Sequence, residues 1–415
     1  MDKLFERTVQ SISEIITFDS VKSAPCEGMP FGKGTAECLD YFLSLARSFG
    51  FETVNYDYYA GEVIFGEGED FAILAHLDVV PAGSGWAHDP FGGEIDYENK
   101  KIWGRGTMDD KGPAVIILYC LKQLKDEGFK PNRRIRLIVG CNEESGWECI
   151  KYFKAHSTMP EIGFSPDAHF PVIYAEKGIM HIKLTFNAEG DFSSLIGGNA
   201  GNMVCDRCAV MAPVDEKKVK ELHLSVENGL IVAKGKSAHG STPEQGINAI
   251  APILRYLGLD LLHEKLFVKM FGLPSLKDET GVLTFSPNVI RGGKNVIEVI
   301  CDIRYPATLS RDRVLKLLED ENYEVLSEQA PLFNDKNCEL IQVLCGAYNS
   351  VTGKHMQPIA IGGGTYARSL KCGVAFGPEE EGEEAVIHQP NEYITFEKIE
   401  TCLKIYKLAI ERLTK

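Results

Sequence analysis

The sequence predicts an α/β protein, a mostly parallel sheet flanked by helices, with an inserted α+β domain. Three observations carry this expectation. Buried-strand runs alternate with amphipathic helical patterns through the first part of the chain, which is how strand-helix-strand units read. Midway the texture changes to period-two alternation, the pattern of half-buried antiparallel strands. Beyond that stretch the first texture returns, so one domain interrupts the other. The expected boundaries are 1–177 and 332–415 for the first domain and 178–331 for the insert.

Taken in order, Phe5, Val9, Ile12 and Ile16, then Leu39, Phe42, Leu43 and Ala46 before Gly50, follow helical spacing and place two helices ahead of the first core strand. Phe71 to Ala75 reads as a short buried strand, Ala114 to Gly128 as an amphipathic helix and Ile135 to Val139 as another strand. In the insert, His181 to Phe186 alternates, and further strands are expected at Leu230 to Ala233, Val282 to Phe285 and Val296 to Arg304. The segment from Gly197 to Arg207 loosely echoes that from Gly292 to Arg304, the mark of a degenerate internal duplication. A helical pattern at Leu340, Val343, Leu344 and Ala347, apolar runs Pro358 to Ile361 and Gly373 to Phe376, and a final helix from Thr395 restore the first domain. The acidic run Glu379 to Glu384 reads as a solvated loop.

With 415 residues, 44% hydrophobic and 25% charged, the chain can bury a large core. Its net charge of -15 repels phosphate backbones, so nucleic acid is not an expected partner. Met1 to Ser20 lacks a basic end followed by an apolar run, and no stretch approaches the roughly 18 apolar residues of a membrane span. A cytoplasmic protein without a membrane partner is expected. The twelve cysteines are scattered through apolar segments and read as reduced thiols, including the lone pair Cys205 and Cys208. Gly362-Gly363-Gly364-Thr365 lacks the Lys and the spacing of a nucleotide loop, and reads instead as backbone able to approach a substrate end.

Chemistry concentrates where buried-strand patterns end: His76 and Asp78, then Glu143 and Glu144, then Asp167. Open α/β sheets keep their sites at strand carboxyl ends. Asp109 lies in the glycine-punctuated turn Gly104 to Gly112, and His388 closes a loop before the last helix. Any one of these alone has an ordinary reading as a cap, a core histidine or a surface carboxylate. Two adjacent carboxylates directly after a buried strand are different, because Glu143 and Glu144 are a costly like-charge pair without a cation to hold them. Two histidines and several carboxylates form a ligand set suited to zinc, manganese or cobalt.

Four phrases, His76-Leu77-Asp78-Val79-Val80-Pro81-Ala82-Gly83, Gly104 to Gly112, Asn142-Glu143-Glu144-Ser145-Gly146 and Ser165-Pro166-Asp167, resemble in their order the motif set of the co-catalytic zinc aminoacylases, carboxypeptidases and dipeptidases. Gly363 to Arg368 and His388-Gln389-Pro390-Asn391-Glu392 resemble the peptidase V-type, Xaa-His or carnosinase-like dipeptidases in particular. The resemblance implies a catalytic first domain, an insert serving as lid, and two divalent metal ions, zinc in the first instance. Asp109 would bridge the metals, His76 and Asp167 would complete one site, and Glu144 and His388 the other. Glu143 would be the general base and Asp78 would hydrogen-bond the His76 imidazole. Asp110 is read as a turn or solvent residue.

In the insert, Lys236 to Pro243 resembles the family's lid segment, with a helix expected to start at Thr242 and Pro243. His239 would stabilise the oxyanion. Asn202, Arg304 and Arg368 are candidates for the substrate carboxylate; Arg304 has the alternatives of pairing with Asp302 or Glu298, and Arg368 that of ending its turn. Cys205 and Glu298 stand where the family usually has proline, and the insert is intermediate in length, which favours a monomer. The expected activity is metal-dependent hydrolysis of small dipeptides. The rivals are deacylation or desuccinylation of N-acyl amino acids and a peptide-binding protein whose site has decayed.

Overall fold

The computed structural model describes residues 3–415. They fall into two compact units. One holds the chain up to Tyr174 with Asn334–Ile359 and Thr365–Lys415, and the other holds Ala175–Phe333 with the short return Ala360–Gly364.

In the first unit the strands Arg133–Gly140, Glu69–His76, Ile162–Ser165 and Cys372–Ala375 lie side by side and parallel. Ala60–Phe65 and Glu52–Tyr56 extend the sheet antiparallel at one side. The sheet is therefore mixed, with a parallel centre. Its central strands are near-continuous apolar runs because helices cover them: Phe71 to Leu74 and Ile135 to Val139 are buried, Arg136 excepted as a polar residue. The Arg136 guanidinium is held by Glu62 and by Asp70. Helices Lys111–Asp126 and Phe396–Thr414 pack together, with Lys3–Ile16 against the first and Glu339–Thr352 against the second. The last helix starts where the sequence indicates, Thr395 accepting a hydrogen bond from the Lys398 N–H.

Gly163 shows how closely the strands approach, since a Cβ there would lie 2.1 Å from the Ala72 carbonyl oxygen. Beside it Phe164, 0% exposed, meets the rings of Phe71, Phe376 and Tyr406 at 5.7 to 6.2 Å between centroids. Phe164→Ala is expected to cost about 3–5 kcal/mol. A lowered chemical-denaturation midpoint would register that loss, and an unchanged one would mean that this cluster is not tightly packed.

The second unit is an eight-stranded antiparallel sheet. Its centre is the strand Thr284–Gly292 paired with Val296–Tyr305, which in turn pairs with Gly178–Asn187. Met180, Ile182, Leu184, Val299, Cys301 and Ile303 point into a core closed by Ile250, Ile253 and Leu254 of the helix Ile250–Tyr256. The two echoing segments form hairpins in this same sheet, one joining Ser193–Gly197 to Arg207–Met211 through a long loop, the other tight. Cys205 and Cys208 are buried free thiols.

Two expectations need correction. Thr242 and Pro243 start only the single turn Pro243–Gln245, and the helix begins at Ile250, whose N–H bonds to the Asn248 side chain. Gly246 and that Asn248 cap interrupt what Pro243 begins. The acidic run is not all solvated loop, for Glu379 forms a short strand with His169, and Glu380 pairs with Lys354 and Lys398.

Candidate metal centre

Because Glu69–His76 and Arg133–Gly140 are parallel with His76 opposite Gly140, His76 and the residues after Gly140 leave the sheet at one edge. Ile162–Ser165, parallel to the first of these, delivers Asp167 to the same edge. Asp109 comes from the turn before the helix Lys111–Asp126. His388 comes from a turn in which its backbone holds a left-handed φ of 61°.

These side chains converge. His76 Nε2 is 2.9 Å from Asp109 Oδ1 and 3.8 Å from Asp167 Oδ2. His388 Nε2 is 2.9 Å from Asp109 Oδ2 and 3.0 Å from Glu144 Oε1. The two oxygens of Asp109 therefore face different imidazoles. Ligand atoms of His76, Asp109 and Glu144 all lie within 4.8 Å of one another.

The supporting contacts differ from expectation in one respect. His76 Nδ1 bonds to the main-chain carbonyl of Asp78 at 2.9 Å, while the Asp78 carboxylate stands 3.6 Å away. A carbonyl can only accept, so Nδ1 donates to it and Nε2 is the ring nitrogen left facing Asp109. The Asp78 carboxylate instead accepts the N–H groups of Glu143 and Glu144, at 2.9 and 3.1 Å. Two backbone donors outcompete one imidazole, and Asp78 positions the paired glutamates.

Asp110 also departs from its reading as a turn or solvent residue. It is 0% exposed and accepts the His76 main-chain N–H at 3.1 Å. Two further residues had no expected role. Tyr366 is buried with its ring edge-on to His76 and its hydroxyl 2.6 Å from Cys149 Sγ. Glu392 is buried and holds the Asp109 turn. The signal for Glu392 was in view, since it closes the same phrase that supplies His388.

Electrostatics argue for a cation. Burial pushes the Asp167 carboxyl up to about 8, with Asp109 adding to the shift and His76 opposing it. Burial also drives the Glu143 carboxyl well above its ordinary range. Against the effect of burial, Asp109 and Glu144 draw His388 up to about 11. Crowded carboxylates thus stay protonated or lean on cationic histidines unless positive charge sits among them, and a divalent ion reverses this logic. His76 Nε2 and Asp109 Oδ1 carry the fit test: both are buried and 2.9 Å apart, yet neither is aligned to bond the other or anything else. Atoms aimed at a shared point in this way, from two imidazoles and three carboxylates, suit a metal of borderline hardness.

Within the second unit, Asn202, His239 and Arg304 are linked. The Asn202 carbonyl accepts the Gly240 N–H at 2.7 Å, and His239 Nδ1 lies 2.7 Å from Ser241 Oγ. Gly240 lies against Asp302, where a Cβ would come 2.4 Å from Oδ2. Asp302 takes the Arg304 fork through Nε and Nη2, at 2.7 and 2.8 Å, and Nη1 donates to the Gly362 carbonyl at 3.1 Å. Of the alternatives for Arg304, pairing with Asp302 is the one realised. Arg368 sits half-buried in the turn Tyr366–Ser369 of the first unit.

A strand-end cluster of imidazoles and carboxylates on an α/β unit, with an α+β insert, is the arrangement of a metal-dependent hydrolase of peptide bonds. The chain belongs to peptidase family M20/M25/M40, whose model matches residues 72–412. Divalent metal use goes with that membership, and the group around Asp109 is its candidate seat. A beta-Ala-Xaa dipeptidase from Lactobacillus delbrueckii subsp. lactis is 32% identical over 453 aligned positions, covering 98% of this chain and 96% of its own. Human carnosine dipeptidase 1 shares the fold with a TM-score of 0.63 at 13% identity, covering 99% of this chain and 96% of its own. The aminoacylhistidine dipeptidase of Vibrio alginolyticus does so with a TM-score of 0.61 at 14% identity, covering 98% and 96%. Among the described residues no helix is long and apolar enough to cross a membrane.

Proposed function

We propose that the protein is a metal-dependent dipeptidase that hydrolyses the peptide bond of small dipeptides. The observation that carries this reading is Asp109, whose two oxygens each stand 2.9 Å from a different histidine. Asp109 would stand between two divalent ions, with His76 and Asp167 as the residues that would hold one and Glu144 and His388 the other. Zinc is the first choice of ion, with manganese and cobalt compatible with the same donors. Dipeptides as substrates are supported by the beta-Ala-Xaa dipeptidase that matches the chain end to end.

When bound, the ions supply a water of lowered pKa and polarise the scissile carbonyl. Glu143 takes the proton of the attacking water and passes it to the departing amine. Asp78 keeps Glu143 and Glu144 in register through their main-chain N–H groups. His239 donates to the developing oxyanion. Asn202, Arg304 and Arg368 contribute to recognition of the substrate carboxylate, with Arg304 offering only the donors that Asp302 and Gly362 leave. The protein works as a monomer in the cytoplasm, a reading supported by its reduced-thiol cysteine usage and the intermediate length of the insert.

The test is a panel of dipeptides, tripeptides and N-acyl amino acids given to the metal-reconstituted protein, with released amines followed by mass spectrometry. Cleavage confined to dipeptides supports the reading, whereas release only from N-acetyl or N-succinyl substrates moves the protein to deacylation. No turnover of any panel member by protein loaded with metal leaves a binding function. His239→Ala should lower kcat by about 10²- to 10³-fold. Metal content should be unaffected, and loss of metal in that variant would remove His239 from the oxyanion role.

A further inference from the structure

We propose that Glu392 is a positioning residue for Asp109, holding its turn in the one shape that presents both carboxylate oxygens to the metal pair. The inference rests on the metal reading above, not on the identity of the substrate. Glu392 is 0% exposed, and its Oε1 accepts the N–H groups of Gly106 at 3.0 Å, Met108 at 3.0 Å and Asp109 at 3.4 Å. Its Oε2 takes Nη1 of Arg105, itself 1% exposed, at 2.6 Å. The Glu392 carbonyl also accepts the Gly104 N–H at 2.9 Å.

Gly106, at a φ of 91°, lets the turn curl so that the N–H groups of Gly106, Met108 and Asp109 aim at one point, while that of Thr107 bonds back to the Gly104 carbonyl. Such a concavity of backbone donors is an anion site, and here the anion is the protein's own carboxylate. A buried ion pair is a poor way to gain stability, and its best-attested use is to fix a geometry. The geometry at stake is that of Asp109, the residue placed between the two histidines. Glu392 reaches no metal-facing atom itself; it acts through the turn. It also lies four residues after His388, so one segment brings a ligand to the centre and clamps the turn that carries another. An Asp109 turn already ordered loses less freedom when metal binds, and that saving is the affinity Glu392 contributes.

Zinc binding to metal-free wild type, Glu392→Gln and Glu392→Asp, measured by competition with a chromogenic chelator, tests this alongside the thermal midpoint of each apo protein. Glu392→Gln should weaken both binding steps by about 10- to 100-fold at temperatures well below its midpoint, because Asp109 serves both sites. Glu392→Asp keeps the charge but shortens the reach, and should fall between wild type and Glu392→Gln. Should Glu392→Gln fail to fold, the Asp variant decides. Wild-type zinc affinity with a lowered midpoint would make Glu392 merely structural, and weakening of one step alone would mean that it does not act through Asp109. Either result overturns the proposal. Failure of the dipeptidase reading would be a separate event, seen as zinc-loaded wild type that leaves every dipeptide intact.

Discussion

Glu143→Ala should lower kcat by about 10²- to 10⁴-fold, the contribution of a well-placed general base. Its metal content should match wild type, because Glu143 is not among the groups that converge on Asp109. The main chain of Glu143 is tied to Asp78, and its carboxyl lies in the field of His76, Asp167 and Glu144. Burial raises that carboxyl well above its usual range, His76 opposing and the neighbouring carboxylates reinforcing. Nearby cations oppose that rise, and a base that must both take and return a proton works best when its pKa lies near the working pH. Parallel measurement of kcat and of bound metal checks this. A variant that turns over dipeptides at the wild-type rate would end the mechanism.

Asp109→Ala should have the other large effect, loss of bound metal from both sites and a fall of activity to the level of the chelator-treated protein. Without Asp109 one half keeps His76 and Asp167, 3.8 Å apart, and the other keeps His388 and Glu144, 3.0 Å apart. Catalytic zinc sites ordinarily keep three protein ligands, and each half would have two. Elemental analysis after gel filtration reads the outcome directly. One tightly held ion per chain with activity preserved would show that Asp109 does not bridge.

Much of this centre was legible before any coordinates, and the reason is local. A parallel strand buried on both faces is a near-continuous apolar run, so the polar residue that ends it stands out: His76 after Phe71 to Ala75, Glu143 and Glu144 after Ile135 to Val139, Asp167 after Ile162 to Phe164. A glycine-punctuated turn likewise marks Asp109. The period-two stretch of the insert announced an antiparallel sheet for the same kind of reason, since alternation is a property of each strand alone.

Spacing along the chain could not say which polar group each of these residues would meet. Asp110 follows Asp109 in the sequence and looks like any turn aspartate, yet it is fully buried because its partner, the His76 N–H, lies 34 residues away. Glu392 and Gly106 are 286 residues apart. Asp78 gives its carboxylate to Glu143 and Glu144 rather than to the nearby imidazole, a competition decided by which donors the folded sheet edge brings within reach. Arg304 is committed to Asp302 and Gly362 by the same kind of encounter. The amino-acid sequence by itself determined the apolar central strands, the long helices and the polar residues at the strand ends, because periodicity and burial act within a few residues; the flanking strands and the Ile250 helix start lay beyond it. Only the tertiary structure decided the partners, because a hydrogen bond depends on distance and angle between groups that the chain carries far apart.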